Sequence, residues 1–329
     1  MAALHPESVL LHGSGQGSPS PPPCEHYAGD AKKLHKALAL QDQMGGAFDV
    51  TADLEDGAAS GQEMATARQL AGILAEHRPT AWRVGCRVHP VDHPCFGSDV
   101  DTLLSARPAG LAYITIPKVS GLAQLERAIA AIDAAAERNG LGRTIPVQIL
   151  TEDEGVIFEL EKIAAHPRVQ FIAFGQMDFT SSHRGAIPAT AMKSPGQFDH
   201  PLMRRAKLEI SAACHAHCKI PTHNPTTDYG SATQAHQDAL RARNEFGFLR
   251  MWSIHPNQIP QILAAFAPTD SEVEDASRIL LAAQAVDWGP IADQGLLHDR
   301  ASYRYFWDLL KRAQSSGGVI PEAARRAFF

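Results

Sequence analysis

Two carboxylates, Glu152 and Asp178, each follow an apolar run suited to a buried strand. Ile145-Pro146-Val147-Gln148-Ile149-Leu150 leads into Thr151-Glu152, and Val169-Gln170-Phe171-Ile172-Ala173-Phe174 leads into Gly175-Gln176-Met177-Asp178. One helix-length segment lies between them. A strand, a crossover helix and a parallel strand deliver both strand ends to one edge of a sheet. Two acids meeting there repel each other, so the arrangement calls for a cation. Hard oxygen donors with no thiolate nearby suit Mg²⁺ or Mn²⁺. Spacing alone fits equally well two unrelated surface acids at loop starts.

Further charged groups sit at other strand ends. Asp53-Leu54-Glu55-Asp56-Gly57 places three acids within four residues, which is costly unless a cation or hydrogen-bond donors compensate. Arg87 closes the run Trp82-Arg83-Val84-Gly85-Cys86-Arg87-Val88. A guanidinium there either grips a carboxylate or enolate at two points, or pairs with one of the acids. Lys118, after Ile116-Pro117, is a strand-end cation or a solvated loop residue. Cys214-His215-Ala216-His217-Cys218 contains zinc-ligand types. A helix puts both cysteines on one face and the histidines elsewhere, so four-ligand closure from that segment is poor.

The elements that must position these groups alternate short β-like runs with longer helical ones, the pattern of a parallel α/β fold. Eight strands are expected: Ser8–His12, Phe48–Asp53, Trp82–Val88, Leu111–Ile116, the two before Glu152 and Asp178, a weak one near Ile220–Thr222, and Arg250–Ile254. Between them, Leu122–Arg138 carries Leu125, Ile129 and Ile132 on one face. Asp199–Cys218 and Ser231–Phe246 are of similar length. Eight strands with intervening helices fit a (β/α)₈ TIM barrel, with an open doubly wound sheet as the rival. Gly13–Pro23 looks like a phosphate cradle, but its prolines prevent a helix from starting behind it, so it reads as a flexible loop. A second Ser/Gly/Pro loop, Thr180–Gln197, follows Asp178 and is placed to cover a substrate. The expected division is a catalytic barrel over 1–268 and a C-terminal helical lid or subunit-exchange arm over 269–329. Thr269-Asp270-Ser271-Glu272 caps the first helix of that arm.

Bulk properties narrow the class. The chain has 329 residues, enough for one barrel with an appendage. A formal charge of −6 without a long basic run excludes a general nucleic-acid binder. No apolar stretch is long enough to span a bilayer, and the N-terminus lacks a secretory pattern. Five scattered cysteines favour reduced thiols, so the expected location is the cytoplasm.

Taken in order, Asp53–Gly57, Arg87-Val88, Pro117-Lys118, Glu152, Gly175–Asp178 and Ile254-His255-Pro256-Asn257-Gln258 resemble the citrate lyase β-subunit-like proteins, grouped with malyl-CoA lyases and class II hydroxy-acid aldolases. The likeness runs from Ala37-Leu38 to about Ala283. It implies that Glu152 and Asp178 ligate Mg²⁺, with Mn²⁺ as a substitute, and that Arg87 holds the enolate oxygen formed as a carbon–carbon bond breaks. It implies that Glu55 and Asp56 hold metal-bound waters or orient Arg87, and that Lys118 contacts substrate. Gly295-Leu296-Leu297-His298-Asp299 is similar to a tail segment whose aspartate enters the active site, often from a neighbouring subunit. Asp299 is therefore an acid/base candidate, or else the N-cap of the helix near Ser302.

The chain also departs from the family. The first strand usually begins with an arginine that touches substrate or CoA, and Ser8–Gly13 has none. Asp153 and Glu154 follow Glu152 where threonine or serine is usual, which makes Glu154 an alternative ligand. Thr222–Asp228 is unusually polar and points to a different substrate. The expected activity is Mg²⁺-dependent cleavage of a β-hydroxy acid or its CoA thioester, by a retro-aldol or retro-Claisen route. A thioester hydrolase and a non-catalytic metal-binding paralogue are the alternatives. The expected partners are a small hydroxy or keto acid or an acyl-CoA, and further copies of the chain in a trimer or hexamer.

Overall fold

Eight short parallel strands close on one another in a computed structural model that describes residues 4–10, 21–57, 61–77 and 83–329. They are β1 (Cys24–Ala28), β2 (Asp49–Asp53), β3 (Val84–Arg87), β4 (Leu111–Ile116), β5 (Val147–Thr151), β6 (Val169–Phe174), β7 (Ile220–His223) and β8 (Arg250–Ser253). Each pairs with the next in sequence, and β8 returns to β1 through Cys24↔Met251 and Glu25↔Trp252. This is the expected (β/α)₈ barrel, and the open-sheet rival is excluded by the closing pair.

The first strand corrects the sequence-based expectation. Pro6–Leu10 is a short helix, residues 11–20 lie outside the described residues, and β1 begins at Cys24. Proline at the first helical position has its fixed φ already set for a helix. β1 reads Cys-Glu-His-Tyr-Ala, which lacks an apolar pattern, yet all five residues are buried. The reason lies in the barrel interior, which is polar. Glu25, Asp49, Thr51, Gln148 and Arg250 are all buried there, with Arg250 Nη2 2.8 Å from Asp49 Oδ2 and 3.5 Å from Glu25 Oε2. Thr51 and Gln148 donate to Glu25 Oε1 at 2.7 and 3.0 Å. Buried charges persist when paired and hydrogen-bonded in this way. Gly85 makes room for Tyr113 in the same interior, because a Cβ there would lie 2.2 Å from the tyrosine ring.

The apolar core lies between the strands and the outer helices. Leu125, Ala128, Ile129 and Ile132 bury one face of the helix Leu122–Arg138, as its periodicity predicts. The residues divide into two compact units, Pro21–Phe266 and a second comprising Met1–Ser20 with Ala267–Phe329, of which residues 4–10 and 267–329 are described. In the second unit, helices Asp270–Ala285, Arg300–Ser315 and Glu322–Phe328 enclose Trp288, Tyr303, Trp307 and Leu310. An antiparallel hairpin, β9 (Ile291–Asp293) and β10 (Leu296–His298), turns through Gln294 and Gly295. Thr269 caps the helix Asp270–Ala285 in a full capping box with Glu272, as its Thr-x-x-Glu spacing predicts. Among the described residues no helix is long and apolar enough to cross a membrane.

Candidate active site at the mouth of the barrel

The C-terminal ends of β2 to β6 assemble the charged residues. Asp53 and Arg87 are the last residues of adjacent strands and stand opposite each other in register. Their side chains meet at two points, Arg87 Nε donating to Asp53 Oδ1 at 2.7 Å and Nη2 to Oδ2 at 2.6 Å. The pair is almost fully buried. Burial alone would favour a neutral guanidine, but Asp53 outweighs it and holds the Arg87 pKa above its usual value. Asp53 is in turn fixed by the backbone N–H groups of Glu55 and Gly57, at 3.1 and 3.0 Å. The third nitrogen, Arg87 Nη1, lies 3.0 Å from Glu55 Oε2.

Lys118 ties the next three acids together. Its ammonium is 2.5 Å from Glu55 Oε1, 3.2 Å from Asp56 Oδ2 and 3.8 Å from Asp178 Oδ1. Its backbone N–H donates to Glu152 Oε2 at 2.5 Å. The residue adopts a left-handed conformation, φ 52°, which is uncommon for anything but glycine, asparagine or aspartate. Glu152 and Asp178 therefore meet through one residue, at the ends of consecutive parallel strands. They also act on each other directly. Burial, with repulsion from Asp178 and Glu55 added, pushes the Glu152 carboxyl up to about 8 against the stabilising Lys118 N–H. Burial raises Glu55 as well, whereas Lys118 and Arg87 lower Asp56 despite its own partial burial. Gly175, just after β6, leaves the space that Glu152 occupies, since a Cβ there would lie 2.3 Å from Glu152 Cγ.

These donors fit a hard divalent ion. The site offers two carboxylates, one buried and one half-exposed, and no sulfur or imidazole. Among the described residues no group of three or more His, Cys, Asp or Glu is placed to hold a metal ion by itself. One or two protein carboxylates are what Mg²⁺ commonly takes, with other oxygen donors completing its shell. Glu154 is otherwise engaged, by Arg205 at 2.8 Å and His183 at 3.3 Å, and Asp153 caps the short helix Glu154–Ile157. The Cys214–Cys218 segment diverges. Cys214 is buried and Cys218 exposed, while His215 bonds Gly247 O at 2.8 Å and His217 pairs with Glu161 at 3.1 Å.

Asp299 lies in the second unit and is the N-cap of the helix Arg300–Ser315. Its Oδ1 accepts from Ala301 N at 2.8 Å, and its own N–H donates to Ser302 Oγ at 3.2 Å. Sequence reasoning placed Asp53 and Gly175 within its motifs but gave neither a role of its own in the site. An acid in the last register position beside a strand-end arginine was the available signal for the first, and a glycine directly before Gln176-Met177-Asp178 for the second. Tyr27 was missed. Its ring lies 5.3 Å from the Arg87 guanidinium, within reach of a cation–π contact, and 4.6 Å from the Trp252 ring.

Residues 33–218 match the family model described as HpcH/HpaI aldolase/citrate lyase. An L-malyl-CoA/beta-methylmalyl-CoA lyase of Cereibacter sphaeroides (strain ATCC 17025 / ATH 2.4.3) is 31% identical over 283 residues, 80% of this chain and 87% of that protein. The crystal structure of a citrate lyase from Burkholderia xenovorans LB400 is similar at TM-score 0.88 and 49% identity, covering 99% of this chain and 100% of that one. CitE from Mycobacterium tuberculosis, in complex with magnesium, acetoacetate and coenzyme A, shares the fold at TM-score 0.70 and 21% identity, over 90% of this chain and 100% of that one.

Proposed function

The chain belongs to the HpcH/HpaI aldolase/citrate lyase family, and from that premise we propose that it breaks a carbon–carbon bond in a β-hydroxy acid or its CoA thioester by way of an enolate. The observation that supports this reading is the convergence of Glu152 and Asp178 on Lys118, close to an Arg87 clamped by Asp53. The activity of the Cereibacter relative favours a CoA thioester as the substrate form.

Glu152 and Asp178 would hold the divalent ion, Mg²⁺ or Mn²⁺ in its place. Bound there, the ion supplies positive charge to the reacting hydroxy or keto acid and fixes its orientation. The remaining work falls to the chain's own side chains. Arg87, held in place before substrate arrives, presents Nη1 to the oxygen on which negative charge develops. Its orientation costs nothing at the moment of reaction because Asp53 has already set it. Glu55 bridges Arg87 and Lys118 and positions the substrate between them. A carboxylate removes the proton of the β-hydroxyl group; the electrons of the breaking carbon–carbon bond pass into the enolate, and a proton returned to carbon completes the reaction. Asp56, which Lys118 favours in its ionised form, is the acid/base group within the barrel, and Asp299 is the further candidate that the family resemblance implies, supplied by a neighbouring copy of the chain.

Incubation of the protein with Mg²⁺ and malyl-CoA-type thioesters tests this. The expected products are acetyl-CoA or its homologue together with a 2-oxo acid, lost on chelation of the metal. Release of free CoA without carbon–carbon cleavage would instead identify a thioester hydrolase. No Mg²⁺-dependent turnover of any such substrate would favour a non-catalytic scaffold.

A further inference from the structure

Lys118 makes a contact that substrate binding does not require. Its ammonium reaches Asp178, one of the two proposed ion ligands, while its backbone N–H holds the other, Glu152. The same ammonium neutralises Glu55 and Asp56. Four acids from the ends of β2 and β5 and from the helix that follows β6 thus share one lysine. The residue does this from a left-handed backbone conformation at φ 52°, which is unfavourable for a side chain with a Cβ. Strain of this kind persists where surrounding contacts over-determine the conformation. Here the backbone N–H is bonded to Glu152 while the side chain reaches Glu55, Asp56 and Asp178.

Resting on the metal-site reading above, we infer that Lys118 is a built-in counter-ion. It holds the acidic cluster together before the divalent ion arrives and competes with that ion for Asp178. Two functions are separated within the residue. The N–H orients Glu152 and is independent of side-chain identity. The ammonium opposes the incoming ion electrostatically and sets how tightly it binds. When the ion enters, the ammonium gives up Asp178 and remains on Glu55 and Asp56. The site is thereby tuned to release as well as capture its metal.

Lys118→Met in the full-length protein separates the two, because it removes the charge and keeps the amide. One unit charge acting on a divalent ion from roughly 6 Å through a water-like medium changes affinity about tenfold. Mg²⁺ titration calorimetry and Mn²⁺ electron paramagnetic resonance should therefore show the Met variant binding about tenfold more tightly than wild type. Its melting temperature in EDTA should fall below that of wild type and rise further on Mg²⁺ addition, because the ion now supplies the missing charge. Lys118→Gln makes the same charge change if the Met variant fails to fold, and Lys118→Arg should keep the wild-type affinity. Equal or weaker Mg²⁺ binding in folded Met and Gln variants would overturn the counter-ion role while leaving the metal site standing. Absence of Mg²⁺ and Mn²⁺ binding in wild type and variants alike would overturn both.

Discussion

Gly175→Ala adds one methyl group beside the chemistry and tests whether Glu152 is held as tightly as its surroundings require. The backbone at Gly175, φ −90° and ψ 77°, is open to alanine, so the perturbation is steric. The new Cβ would lie 2.3 Å from Glu152 Cγ, 2.9 Å from Cδ and 2.7 Å from Oε1, whereas ordinary contact begins at 3.4 Å. The carboxylate must retreat by roughly 1 Å, and the 2.5 Å bond from the Lys118 amide would then stretch beyond hydrogen-bonding length. A misplacement of that size costs about 10²-fold in catalysis, equivalent to about 2.7 kcal/mol. The expected result is a drop of about two orders of magnitude in kcat/KM for carbon–carbon cleavage with a parallel weakening of Mg²⁺ binding, measured by coupled assay and calorimetry. Gly72→Ala is the control. It lies within the helix Glu63–Glu76 with nothing within 4 Å of the added Cβ, and should stabilise the fold by about 0.5–1 kcal/mol with activity unchanged. Wild-type Mg²⁺ affinity and kcat/KM within about twofold in the Gly175 variant would refute the packing argument.

Glu152→Gln and Asp178→Asn should each abolish Mg²⁺ binding by calorimetry, and affinity retained in both variants would rule out the metal pair. Arg87→Lys keeps the charge but loses the two-point grip on Asp53, so kcat should fall by about 10²–10³ with KM much less affected; loss in KM alone would mean that Arg87 only binds. His26, buried and 2.7 Å from Ser253 Oγ, has its pKa pushed down to about 4, chiefly by burial. The unfolded chain takes up a proton near 6.5 and the folded one resists it, so stability should decline as pH falls from 6.5 towards 4, by about 3 kcal/mol in full. Urea denaturation across that window should show a decline smaller by about 3 kcal/mol in His26→Asn than in wild type, the remainder coming from other buried histidines such as His223.

How much of this was readable in advance follows from what each residue's role depends on. The apolar runs at β2, β4 and β6, the helix Leu122–Arg138 and the Thr269 capping box declared themselves, because each is specified by neighbours within a few positions. Glu152 and Asp178 were identifiable because a parallel crossover brings consecutive strand ends to one edge whatever the details of the barrel. β1 was not readable. Its glutamate and histidine look like loop residues until Arg250, 225 positions away, supplies the charge that allows Glu25 to be buried. The Asp53–Arg87 clamp depends on the register of two strands, the space for Glu152 on a glycine in another strand's loop, and the Lys118 contacts on a left-handed turn that no residue type announces. Local pattern thus decided which elements form and which acids stand at their ends. Closure of the barrel decided which charges face one another, since pairing energy across a fold depends on distances that chain order does not encode.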